Sequence, residues 1–102
     1  MLQKYFETQI GKTIKKNLVT GNDFFTEVYE RVYKIEVIGV DPTRLYVEVT
    51  SYDKTPSGYM KGGTDKDLGG ANIFYQNFET KDQVIREIIK EVDSPFLRKY
   101  FN

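Results

Sequence analysis

The sequence lacks the residues on which most metal sites and many catalytic sites depend. It has no cysteine, which excludes disulfides, thiolate chemistry and zinc sites with cysteine ligands. It has no histidine, which removes the commonest general base and the commonest metal ligand. No apolar run is long enough to span a bilayer, and residues 1–16 lack a signal-peptide core. We therefore expect a cytoplasmic protein, or a virion-associated one if it comes from a phage, with no cofactor and no membrane partner.

An excess of charge of either sign is also missing. Fifteen Lys and Arg residues balance fifteen Asp and Glu residues, so bulk positive charge does not draw this chain onto nucleic acid. Tryptophan is absent and Ala71 is the only alanine, whereas 15% of the residues are aromatic. This bias is typical of AT-rich coding sequences and suggests a low-GC bacterium or a phage or other mobile element as the source. The length of 102 residues predicts a single domain over 1–102.

The first half of the chain predicts a helix followed by a β-hairpin. Apolar residues four positions apart favour a helix over Leu2–Val19, which Gly11 could split. Residues 24–32 fit a helix and a strand equally well, and both remain open. Clear alternation starts at Tyr33 and continues to Val40, a turn with Pro at its second position follows, and a second strand covers Leu45–Tyr52.

The second half predicts a long loop, a strand and two helices. Residues 53–72 hold five of the eight glycines and are expected to form a mobile loop. A third strand covers Ile73–Phe78, a capping box at Thr80 starts a helix through Val92, and Ser94-Pro95 starts a last short helix. The order α-β-β-β-α-α predicts a small α+β domain whose helices pack on one face of a three- to four-stranded antiparallel sheet.

Part of the glycine-rich stretch has the spacing of a ligand loop. Asp65, Asp67 and Gly70 match three positions of a calcium loop, but Gly69 and Gln76 occupy positions that need carboxylates, so no metal site is predicted. Successive backbone N–H groups could instead bind an anion, or the loop could contact a partner. The candidate loop residues are Lys61, Gly62, Gly63, Asp65, Asp67, Gly69 and Gly70.

Protein contact is the function that the pattern favours. Tyr46 and Tyr52 fall on the polar side of the second predicted strand, and the last predicted helix carries four large apolar residues on one side. The partner-binding candidates are therefore Tyr46, Tyr52, Phe96, Leu97, Tyr100 and Phe101. We expect a non-catalytic protein-binding or assembly module that contacts another protein or a second copy of itself.

Two other functions are weighed against protein binding. Lys12, Lys15 and Lys16 cluster on the first predicted helix and could bind nucleic acid weakly, which is the alternative function. Catalysis would need acidic residues that converge in a cleft, and the acids here alternate outward along strands and helices. We therefore predict no catalytic residues and no enzyme activity.

Overall fold

Four antiparallel strands and two helices make up the described part of the chain. A computed structural model describes residues 2–19, 30–54 and 66–93. The elements in chain order are α1 (Leu2–Glu7), β1 (Thr13–Val19), β2 (Glu30–Val40), β3 (Arg44–Lys54), β4 (Lys66–Phe74) and α2 (Lys81–Val92). The strands form one sheet in the order β1-β2-β3-β4, and each strand is antiparallel to its neighbour. The predicted small α+β domain with an antiparallel sheet is confirmed.

The predicted first helix is wrong beyond Glu7, because residues 13–19 form a strand. Gly11 has a φ of 78°, a conformation that glycine adopts without steric cost, and its N–H donates to Val37 O at 2.8 Å. The chain thereby leaves the helix and joins the sheet beside β2. Ile14 and Leu18 are four residues apart, which places them on one face of a strand as well as of a helix, so the spacing did not distinguish the two structures.

The β2–β3 hairpin is confirmed, with strands slightly longer than predicted. Its register places Ile35 opposite Val49 and Val37 opposite Val47, and all four side chains are buried. A bulge between Val37 and Gly39 shifts the register at the hairpin end. β2 begins at Glu30, so residues 30–32 are strand, whereas residues 24–29 lie outside the described residues.

The predicted irregular stretch 53–72 is wrong at both ends. Residues 53 and 54 finish β3, and residues 66–72 belong to β4, which ends at Phe74 rather than at Phe78. Gly69 has a φ of 87° at a register shift in β4, and its N–H donates to Asp67 Oδ1 at 2.8 Å. The glycines thus allow a bulged strand that pairs with β3, where their low strand propensity indicated a loop. Residues 55–65 lie outside the described residues.

Both helices pack on the same face of the sheet, which we call the inner face. The predicted capping box is present: Gln83 N donates to Thr80 Oγ1 at 3.2 Å, and Thr80 N donates to Gln83 Oε1 at 3.1 Å. Four residues on one stripe of α2 are buried against the strands, and Phe6 of α1 joins them. The buried cluster comprises Phe6, Tyr33, Ile35, Val37, Leu45, Val47, Val49, Ile73, Tyr75, Val84, Ile85, Ile88 and Ile89.

A buried polar contact fixes the end of α2 to β2. Asp93 follows the last turn of α2, and its N–H donates to Ile89 O at 2.8 Å. Asp93 Oδ2 accepts hydrogen bonds from the Tyr33 hydroxyl at 2.5 Å and from Arg31 Nη1 at 2.9 Å. The predicted last helix, which starts at Ser94, lies outside the described residues.

Candidate interaction surface

The face of the sheet opposite the helices, which we call the outer face, carries the candidate site. Strand residues alternate between the two faces, so residues that pair across strands share a face. The buried pairs Ile35–Val49 and Val37–Val47 define the inner face. The intervening positions therefore define the outer face: Thr13, Lys15, Asn17, Val32, Lys34, Glu36, Ile38, Arg44, Tyr46, Glu48, Thr50, Tyr52, Asp67, Gly70, Asn72 and Phe74.

Three large apolar side chains are exposed at the hairpin end of the outer face, and we call them the apolar end. Ile38 at the end of β2 is 50% exposed, Tyr46 at the start of β3 is 36% exposed, and Phe74 at the end of β4 is 54% exposed. Tyr46 pairs with Gly39 on one side and Asn72 on the other, so its ring lies between the strands that carry Ile38 and Phe74. The apolar end therefore spans three adjacent strands.

The β2–β3 turn holds Tyr46 in place. Asp41 Oδ1 accepts hydrogen bonds from Thr43 N at 2.9 Å and from Arg44 N at 2.7 Å, and Asp41 Oδ2 accepts one from the Tyr46 hydroxyl at 3.2 Å. The bonds from the two backbone N–H groups lower the pKa of the Asp41 carboxyl, because they stabilise its charged form. Tyr46 is thus attached to a turn that side-chain hydrogen bonds hold in place.

Phe74 is likewise held by a neighbour. Arg44 lies directly opposite Phe74 across the β3–β4 pair, and its guanidinium carbon is 4.3 Å from the centroid of the Phe74 ring. A cation over an aromatic face is attracted by the ring quadrupole. The apolar end therefore has a cation at its margin.

Two like charges lie next to the apolar end. Glu36 and Glu48 are directly opposite on β2 and β3, both are exposed, and we call them the acidic pair. Within the described residues, neither carboxylate forms a salt bridge. Lys34, two residues before Glu36 on the same face, places its ammonium group 5.0 Å from the ring centroid of Tyr52. Like charges directly opposite destabilise a sheet, so the acidic pair costs stability in the isolated chain.

A shallow depression lies over the acidic pair. Its volume is about 260 Å³, and it is lined by Thr13, Lys34, Glu36, Glu48, Thr50 and Asp67. The lining carries three carboxylates and one ammonium group, so the depression favours a cationic group. The described residues contain no cluster of three or more potential ligand side chains arranged to hold a metal ion.

At the other end of the outer face, Asn17 is exposed but its neighbours across the sheet are not. Val32 points outward between Asn17 and Tyr52, yet it is only 1% exposed, and Tyr52 is half-buried. The accessible part of the outer face therefore runs from the Lys34 position to Phe74. Neither of the two helices in the described part of the chain is long and apolar enough to cross a membrane.

The structure brings together only some of the residues that the sequence proposed. Tyr46 and Tyr52 lie on the outer face as predicted, while Asp67, Gly69 and Gly70 lie in β4 instead of a loop. Lys15 and Lys16 are consecutive residues of β1 and point to opposite faces, so with Lys12 they do not form a helix face. The remaining predicted candidates lie outside the described residues: Lys61, Gly62, Gly63, Asp65, Phe96, Leu97, Tyr100 and Phe101.

Sequence reasoning missed the other members of the site. Ile38 was detectable, because the alternation that places Lys34 and Glu36 outward also places Ile38 outward. Phe74 required the correct bounds of β4, which also move the candidate Gly70 from a loop to a strand, and the acidic pair required the register of the hairpin. Searches of the chain against protein-family models, curated proteins and solved structures found no match, so the function is inferred from the outer face itself.

Proposed function

We propose that this protein is a small non-catalytic protein-binding or assembly module whose binding surface is the apolar end of the outer face. The observation that carries the proposal is the joint exposure of Ile38, Tyr46 and Phe74 on three adjacent strands. An antiparallel sheet with one solvated face normally places polar residues there. Single exposed apolar residues are common on protein surfaces, but a cluster with aromatic members is typical of interfaces.

The rigidity of the apolar end supports a binding role. The Tyr46 hydroxyl is bound to Asp41, and the Phe74 ring is covered on one side by Arg44. Side chains that are already held in one position lose little conformational entropy when a partner covers them. The acidic pair adds charge selectivity, because Glu36 and Glu48 favour a partner with a cationic group beside its apolar contact.

The nucleic-acid alternative draws no support from the described residues. Lys15 and Lys16 point to opposite faces of β1, and the acidic pair occupies the centre of the accessible outer face. Carboxylates at that place repel a phosphate backbone.

Site-specific photo-crosslinking tests the proposal in the cells from which the gene comes. Benzoylphenylalanine replaces Tyr46 in one protein and Lys90, an exposed residue of α2, in a matched control. We expect the Tyr46 position to give an adduct of one defined mass, the Lys90 position to give none, and Ile38→Ser to reduce the adduct from position 46. Equal adducts from both positions, or none from position 46, would contradict the proposal.

A further inference from the structure

We propose that the partner of the outer face is a second copy of this chain, an inference that rests on the proposed function. The two copies face each other through their outer faces about a two-fold axis that runs across the strands. The axis passes through the row of residues formed by Gly39, Tyr46 and Asn72, next to the bulged residue Ile38. The same outer face carries a cation, Arg44 beside Phe74, and an acidic depression. One copy therefore offers both halves of a contact between opposite charges.

The arrangement follows from the order of the rows along the strands. Glu48 and Gly70 form one row, Tyr46 and Asn72 form the next, and Arg44 and Phe74 form the last. Alternate residues of a strand are about 7 Å apart, so the outer two rows lie at equal distances from the middle row. A two-fold axis through the middle row reverses the direction of every strand. Each strand of one copy then lies over the same strand of the other copy. The last row of one copy then lies over the first row of the other.

The charges of the superposed rows are complementary. Arg44 of one copy lies over Glu48 of the other, and the symmetry repeats this contact a second time. The guanidinium group enters the depression lined by Glu36 and Glu48. Lys34 is the one cationic residue among the described residues that line this depression. Since the formal net charge of the chain is zero, no overall repulsion opposes the approach of two copies.

The shapes of the superposed rows also match. Phe74 of one copy lies over Gly70 of the other, where the lack of a side chain leaves space for a ring. Tyr46 lies over its own counterpart on the axis, and the exposed Ile38 beside it adds apolar contact. Facing sheets pack about 10 Å apart, which allows side chains of this size to interdigitate.

The small size of the surface indicates a weak dimer. Three strands about 5 Å apart and three rows about 7 Å apart give roughly 300 Å² per copy. This is below the roughly 800 Å² per partner of a standard stable interface, so the dimer is weak. We expect a dissociation constant of about 10 µM.

Charge reversal with mixing tests the arrangement on the purified full chain by sedimentation velocity. Arg44→Glu places two acids opposite each other twice in the dimer, and Glu48→Arg places two cations opposite each other twice. Each variant alone should dimerise at least tenfold more weakly than the unaltered chain. A mixture of the two variants should dimerise nearly as well as the unaltered chain, because the heterodimer restores both opposite-charge contacts. Lys90→Glu on α2 is the control and should leave dimerisation unchanged.

Each outcome decides for or against the second copy as partner. The inference is overturned if the unaltered chain stays monomeric at 1 mM, which is about a hundredfold above the expected dissociation constant. It is also overturned if Arg44→Glu does not weaken the dimer, or if mixing the two variants does not restore it. A crosslink from position 46 to a different polypeptide, with a monomeric purified chain, overturns this inference and leaves the proposed function standing. The absence of any crosslink from position 46 overturns both.

Discussion

Replacing Asp93 tests the contact that fixes α2 to the sheet. Asp93 Oδ2 is the acceptor for the Tyr33 hydroxyl and the partner of Arg31, and the side chains of Arg31 and Asp93 are 14% and 9% exposed. Asp93→Ala leaves the fully buried Tyr33 hydroxyl without this acceptor, which costs about 1–3 kcal/mol. Breaking a buried ion pair costs about 3–5 kcal/mol, and the partial exposure of this pair places the expected loss near the lower end, at about 3 kcal/mol in total.

The contribution of the Tyr33 hydrogen bond is separated by a double-mutant cycle. Tyr33→Phe removes the hydroxyl together with its need for an acceptor, and we expect it to cost about 1.5 kcal/mol. In the Tyr33→Phe background, Asp93→Ala should cost about 1.5 kcal/mol less than in the unaltered chain, because no buried hydroxyl is left unbonded. Equilibrium urea unfolding followed by circular dichroism measures all four free energies of unfolding.

Alkaline pH gives an independent measure of the same contact. Burial, and then the hydrogen bond to Asp93, raise the pKa of the Tyr33 hydroxyl well above its ordinary value of 10.0. Above pH 10 the unfolded chain loses this proton while the folded chain keeps it, so the unfolded state binds fewer protons. The free energy of unfolding therefore falls with rising pH, by about 1.4 kcal/mol per pH unit from this group, and the contribution is fully present below pH 10.

Tyr33→Phe should remove that part of the alkaline slope, and Tyr46→Phe is the matched control because Tyr46 lies on the exposed outer face. The reasoning is refuted by a cycle with no interaction energy between Tyr33 and Asp93. It is equally refuted by an alkaline slope that is identical in Tyr33→Phe and in the unaltered chain.

Three further changes test local features of the fold. Thr80→Ala removes the side-chain half of the capping box and should lower the free energy of unfolding by about 1 kcal/mol in urea titrations, with less loss for Thr80→Ser. Gly11→Ala should cost about 1–2 kcal/mol through its positive φ alone, since the added methyl group meets no atom within 4 Å, and Gly11→Asn should cost less in thermal unfolding. The Asp41 carboxyl should titrate below its ordinary pKa of 3.8 in NMR spectra. Its hydrogen bonds stabilise the folded state fully above pH 3.8, and this stabilisation should be lost as the pH falls through the lowered pKa. An Asp41 midpoint at or above 3.8 would contradict the turn geometry.

The sequence predicts best where one pattern excludes the alternatives. The alternation from Tyr33 to Tyr52 excludes a helix, and it gave the hairpin, its turn and the outward position of Tyr46. The four-residue spacing of Ile14 and Leu18 is compatible with both a helix and a strand, and there the prediction is wrong. Gly69 and Gly70 form strand because pairing with β3 supplies backbone hydrogen bonds that local propensity does not report.

Contacts between distant residues could not be read from the sequence. Asp93 lies 60 residues from Tyr33, and nothing near Asp93 in the chain marks it as a buried acceptor. The acidic pair similarly depends on register, because a shift of one residue would place Glu48 on the inner face. The candidate site was therefore predictable for single residues such as Tyr46, whereas the combination of acidic pair and apolar end needed the sheet.

The Asp41 turn connects the two faces of the sheet and so links stability to the proposed dimer. On the inner side, the Tyr75 hydroxyl donates to Asp41 O at 2.7 Å, and Tyr75 packs edge-on against Phe6 of α1. On the outer side, the Tyr46 hydroxyl donates to the carboxylate of the same residue. A partner that covers Tyr46 therefore contacts a residue whose turn is already held by the buried core. Such a surface can tolerate the repulsion between Glu36 and Glu48, because the core supplies the stability and, in the proposed dimer, Arg44 of the second copy lies over Glu48.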